Sequence, residues 1–164
     1  MKFAPIIYLI GMLLCILSLF MLIPALVDWF YGSRDWPAFI ASSLTTLIVG
    51  GALFLSARGS ATEHLELRQA FLLTNSAWIS IALFGSLPFL FSDINMSITD
   101  AIFESTSGIT TTGATVIDTL DSTSHGILIW RALLQWLGGI GIIVMALAIL
   151  PMLSIGGMQL FKTE

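Results

Sequence analysis

Polarity along this chain changes in long blocks. Uncharged apolar runs cover about residues 5–27, 38–57 and 70–91, and a fourth run, carrying only Arg131, covers about 126–153. Each matches or exceeds the roughly 20 residues that take a helix across a hydrocarbon core. Pro24 stands near the end of the first run, where it can kink or terminate the helix, and Pro88 stands near the exit of the third. Gly138, Gly139 and Gly141 interrupt the fourth, and Pro151 lies near its end. The turn over residues 28–37 is crowded with Trp29, Phe30, Tyr31 and Trp36, as expected where a helix meets a membrane–water interface. Gly50, Gly51, Ser42, Ser43, Thr45 and Thr46 give the second run small and hydroxylated positions suited to close packing in lipid. Residues 58–68 are the densest charged stretch and read as a solvated loop, with His64 a plain loop histidine. The expected fold is all-α and integral to the membrane. It comprises a helix pair and loop over 1–69, a helix–loop–helix repeat over 70–155 and a hydrophilic tail over 156–164.

Composition agrees with the pattern. The chain is 57% hydrophobic and 10% charged, whereas about 25% of the residues of a soluble domain are charged. Its mean hydropathy is +0.98. A net charge of -4 argues against nucleic acid as a partner, since that calls for a basic face. Cys15, the one cysteine, offers neither a disulfide framework nor a thiolate metal site and reads as a small apolar residue. Lys2 gives the first run the look of a signal peptide. The run is longer than the h-region of about 7–15 residues and no Ala-x-Ala site follows, so it reads as a retained helix.

Four spans put Lys2, Arg58, Arg68 and Lys162 on one side, against Arg34 and the nearby Arg131 on the other. The excess marks the first side, with both termini, as cytoplasmic. The connection between the third and fourth runs is then external. It carries Asp93, Asp100, Glu104, Asp118 and Asp121, which together would form an acidic vestibule that concentrates cations. No His-Glu-x-x-His, no Gly-x-Ser-x-Gly and no polar pair placed for acid–base work points to an enzyme.

The chemistry gathers in residues 100–115 of that connection. Ser97 or Thr99 is placed to cap a helix starting near Asp100, whose charge suits a helix N-terminus. Ala101, Ile102, Ser105 and Ile109 fall at helical spacing, and Gly108 should weaken or end the helix. About twelve residues at ~1.5 Å each reach only partway across a core of about 30 Å, so the chain must turn back. A helix pointing inward presents its partly negative C-terminal carbonyls to the membrane interior, which favours a cation at the tip. Residues 110–115 (Thr-Thr-Thr-Gly-Ala-Thr) would return outward as extended chain, glycine aiming carbonyls and threonine adding hydroxyls. Backbone carbonyls that replace a hydration shell are how a potassium filter works, although the full Thr-Val-Gly-Tyr-Gly run is absent. Arg131, costly in lipid, should pair with Glu104, Asp118 or Asp121, or else snorkel to the interface. Gly138, Gly139 and Gly141 read as packing positions more than as a hinge.

Residues 98–115, ending Ser-Thr-Ser-Gly-Ile-Thr-Thr-Thr-Gly-Ala-Thr, resemble the first pore loop of Trk-type bacterial potassium uptake proteins, the TrkH/TrkG branch of the Trk/Ktr/HKT superfamily. Residues 130–144 resemble the outer half of that family's following helix, and residues 148–160 its cytoplasmic end. The resemblance runs from the first span to the last residue. It implies two family-specific N-terminal helices, then one helix–pore-loop–helix repeat, with a pore helix over about 100–109 and a filter over about 110–115. It also implies that Thr111, Thr112 and Gly113 supply oxygens to K+, with no organic cofactor; from the residues themselves, an Arg131–Glu104 contact is expected to prop the pore helix. The family builds its pore from four such repeats, and this chain has one, so it reads as an N-terminal portion lacking the later repeats. Implied partners are membrane lipid, the remaining repeats or further copies, a second copy forming a homodimer, and a cytosolic nucleotide-binding regulatory subunit. The implied location is the bacterial cytoplasmic (inner) membrane. Two other readings stand beside this one: a single-repeat cation channel acting as a homotetramer, and a non-conducting membrane assembly protein.

Overall fold

A computed structural model describes residues 3–60, 67–118, 120 and 123–160. Helices α1 (Ala4–Phe20), α2 (Leu22–Phe30), α3 (Trp36–Ser56), α4 (Leu67–Gly85), α5 (Leu87–Phe91), α6 (Ile98–Ile109) and α7 (His125–Leu160) follow in order, and among the described residues there is no strand. Four stretches are long and apolar enough to cross a membrane: Ala4–Phe30, Trp36–Ser56, Arg68–Phe91 and His125–Leu147. The fold is all-α and integral to the membrane, as the block pattern predicts. Leu19, Ile48, Ile79 and Leu147 stand exposed on these spans, where the surrounding solvent is hydrocarbon. His64, Asp121, Lys2, Lys162 and most of the charged 58–68 loop lie outside the described residues.

Two spans are broken where proline dictates. The first divides at Met21, three residues before Pro24, and the third divides at Ser86, two residues before Pro88. Proline has no N–H for the carbonyl four residues back, and its ring crowds that carbonyl, so the break falls N-terminal to the proline.

The fourth span departs from expectation. Its glycine run does not interrupt it: α7 is one helix of 36 residues. It also continues to Leu160, so the first part of the expected tail is helical. A glycine inside a helix costs only about 1 kcal/mol. Leaving backbone groups unpaired in hydrocarbon costs several kcal/mol each. The helix therefore persists.

The N-terminal pair packs through glycine. A Cβ on Gly11 of α1 would collide with the Phe54 backbone nitrogen of α3, and one on Gly50 would stand 2.8 Å from Leu14 Cβ. Gly51, by contrast, faces open space. Ser43 Oγ donates to Ser18 O across this contact at 2.8 Å, and Tyr8 stacks on Phe54 with ring centroids 4.8 Å apart. Leu14, Leu17, Met21, Phe39, Phe89, Ile127, Trp130 and Leu134 form a shared core between this pair and the repeat.

Polar ties hold the two parts at the expected outer end. The Gly126 N–H in the first turn of α7 donates to Asp28 Oδ1 at 2.7 Å, and the Asp93 N–H donates to Asp35 Oδ1 at 3.0 Å. Asp28 is fully buried, its carboxyl set against the positive end of a long helix. His125 stacks on Tyr31 with centroids 4.2 Å apart.

Candidate functional site

Both ends of α6 are fixed by local chemistry. At its start Ser97 is extended (φ -67, ψ 160), and its Oγ accepts the Asp100 N–H at 3.2 Å while donating to Asp100 Oδ2 at 2.6 Å. One orphan donor is thereby satisfied, and a carboxylate is held at the positive end of the helix. At the other end the Thr111 N–H donates to Gly108 O at 2.9 Å and the Thr112 N–H donates to Ser107 O at 3.0 Å. These two bonds define a Schellman stop, which needs a left-handed residue at its turn. Thr111 fills that place with φ 60. A β-branched residue there is an outlier, and such strain concentrates at functional sites. Gly113 then takes φ 76, the positive value expected of it.

Beyond the stop the chain doubles back along α6. The Gly113 N–H approaches Ser107 O at 3.4 Å, Ser107 Oγ donates to Ala114 O at 2.6 Å, and the Thr115 hydroxyl and Val116 N–H donate to Glu104 Oε2 at 3.1 and 3.0 Å. Ser107 and Glu104 are one helical turn apart, so one face of α6 grips the returning segment at successive levels. The Thr110 and Thr112 hydroxyls lie 2.9 Å from each other. Residues 110–116 are exposed, and among the described residues no donor reaches the carbonyls of Thr110, Thr111, Thr112 or Gly113. The oxygens exposed at this tip are carbonyls and hydroxyls, the kinds of ligand that replace a cation's hydration shell. No group of three or more His, Cys, Asp or Glu gathers among the described residues.

Glu104 does not belong to an open acidic vestibule. It is 1% exposed, and its Oε1 lies 2.5 Å from Arg131 Nε on α7 as an ion pair. Carboxylate count along the sequence overstates the vestibule, because Glu104 sits on the face of α6 turned toward α7. Asp93 and Asp118 are exposed. Of the three partners expected for Arg131, Glu104 is the one found among the described residues, which do not include Asp121.

Close packing places α6 against α7. A Cβ on Gly138 would overlap Ile109 O, and one on Gly108 would meet Leu134 Cβ at 3.0 Å. Gly139 faces open space and Gly141 has only Trp78 nearby, so of that run Gly138 alone meets the packing role. The Trp130 indole N–H donates to Gly85 O at 2.9 Å, tying α7 to the end of α4. Ser107, Gly85 and Trp130 are contributors that sequence reasoning missed. The spacing of Ser107 one turn from Glu104 was the available signal for the first.

Membrane-length helices here hold a short helix with exposed carbonyls and hydroxyls at its tip. A family model described as TrkH, cation transport protein, matches residues 36–164, and the chain belongs to that family. The potassium uptake protein TrkH of Escherichia coli K12 is 45% identical over the whole of this chain, which covers 34% of that relative. TrkG of the same strain is 37% identical, with 94% of this chain and 32% of the relative covered. The crystal structure of the potassium transporter TrkH from Vibrio parahaemolyticus superposes with a TM-score of 0.89 at 45% identity, covering 96% of this chain and 34% of that one. The chain thus spans about a third of the length of the relatives it matches.

Proposed function

We propose that this chain supplies one selectivity-filter segment of a Trk-type potassium uptake system. In this reading α4–α5 and α7 are the flanking helices of one pore repeat, α6 is a pore helix entering from outside, and residues 110–115 form a re-entrant filter strand. Thr111, Thr112 and Gly113 direct oxygens at K+, the transported ion. The observation that carries the reading is the stop at Thr111. It turns the chain at the negative end of α6 and leaves consecutive carbonyls without donors among the described residues. One such segment cannot surround an ion, so further repeats or further copies complete the ring. Relatives about three times as long, named as potassium uptake proteins, favour further repeats over a homotetramer or a non-conducting assembly protein.

Both termini face the cytoplasm of a bacterial inner membrane. The whole system works as a homodimer with a cytosolic nucleotide-binding partner. Cys15 is in the first span, so a cysteine introduced within 61–66 should react with an impermeant thiol reagent from the cytoplasmic side only. Labelling from outside would reverse the topology. The function is tested by expressing the protein from its natural reading frame in a host lacking potassium uptake. Growth at low potassium and saturable rubidium uptake are expected, and a folded, membrane-inserted protein that restores neither contradicts the reading.

A further inference from the structure

We infer that Glu104 is a positioning residue that sets cation discrimination by fixing the filter strand from behind. The proposal rests on the filter reading of residues 110–115 and adds what holds that strand at its working depth.

Among the described residues the strand has few anchors. Its inner end hangs on Ser107 through the backbone oxygen and Oγ. Its outer end is held by Glu104 Oε2, which accepts from both the Thr115 hydroxyl and the Val116 N–H. The Thr115 hydroxyl oxygen in turn accepts the Ile117 N–H at 3.1 Å, so the Glu104 contact reaches three consecutive residues. Hydrogen bonds to an ionised carboxylate are shorter and about twice as strong as neutral ones. A carboxylate this deeply buried stays ionised only if a positive charge pays for it, and Arg131, against Oε1, is that charge.

Arg131 belongs to α7, and the Gly138 backbone of α7 also presses on Ile109 O at the tip of α6. Glu104 thus clamps the strand, the pore helix and the flanking helix at one point. The pair is neutral overall, so its influence on an ion acts through where the carbonyls of 111–113 stand rather than through attraction. An error in that placement alters both cavity size and the number of oxygens reaching the ion, the two bases on which potassium is told from sodium.

The test uses the protein from its natural reading frame in proteoliposomes, with rubidium and sodium fluxes measured in parallel. The double variant Glu104→Gln/Arg131→Gln leaves no buried charge, so the membrane helices are retained. It should conduct both ions with rubidium preference over sodium reduced about tenfold, the scale of one lost charge-assisted hydrogen bond. Glu104→Asp keeps the ion pair while withdrawing the acceptor by one methylene, and should fall between the two. The preference of a folded double variant remaining at the wild-type value overturns the clamp, as does Glu104→Asp discriminating worse than the double variant. Wild-type protein that passes no rubidium refutes the potassium reading itself, a result separate from either.

Discussion

The unusual residue in this molecule is Thr111. Helices that stop in a Schellman motif favour glycine at the left-handed position, and a threonine held there stores strain of about 1–3 kcal/mol. Thr111→Gly should therefore stabilise the folded protein by about 1 kcal/mol, visible as a raised thermal midpoint in detergent, while weakening ion discrimination. A lowered midpoint would show that the threonine is not strained. This position was not legible in advance: the Thr-Thr-Thr-Gly run suggests that glycine alone takes positive φ, whereas the first positive φ falls two residues earlier. The cap at Ser97, the helix end near Gly108 and the Glu104–Arg131 pair were legible. Each rests on a local rule or on the cost of a lone charge in lipid.

Among the elements, α7 carries the sharpest contrast within a few residues. Gly138 lies against the Ile109 backbone and Gly139 against nothing within 4 Å. Gly138→Ala should cost about 1–3 kcal/mol, because backbone on both sides cannot yield. Gly139→Ala should stay within about 0.5 kcal/mol of wild type. Thermal unfolding of the two variants side by side checks this, and equal losses would contradict the packing at Ile109. Sequence suggested that the glycine run packs helices but not which glycine does so, since that depends on where α6 ends relative to α7. The run leaves the span unbroken for a related reason. In a membrane the helix is the cheapest way to pair every backbone group, so intrinsic propensity counts for less. Prolines 24 and 88 divide their spans, whereas Pro151 lies within α7 without ending it.

At the scale of the molecule, the N-terminal pair is keyed into the α4–α7 part through Asp28 and the start of α7. Asp28→Ala orphans the Gly126 N–H and should lower stability by about 1–3 kcal/mol. An unchanged thermal midpoint would mean that the tie is incidental. The spans were legible because length and apolarity alone define them, and the shared core was not, since it depends on which faces meet. The central claim is that residues 111–113 form a cation-selective strand. It is tested most directly by rubidium uptake of the protein from its natural reading frame, with potassium and sodium as competitors, for wild type and Gly113→Ala. At φ 76 an alanine is strained, and its Cβ would approach Gln135 Nε2 at 3.2 Å. Potassium should compete far better than sodium in the wild type, and Gly113→Ala should lose most of that preference while still inserting in the membrane. Full preference in the Gly113→Ala protein would contradict the account.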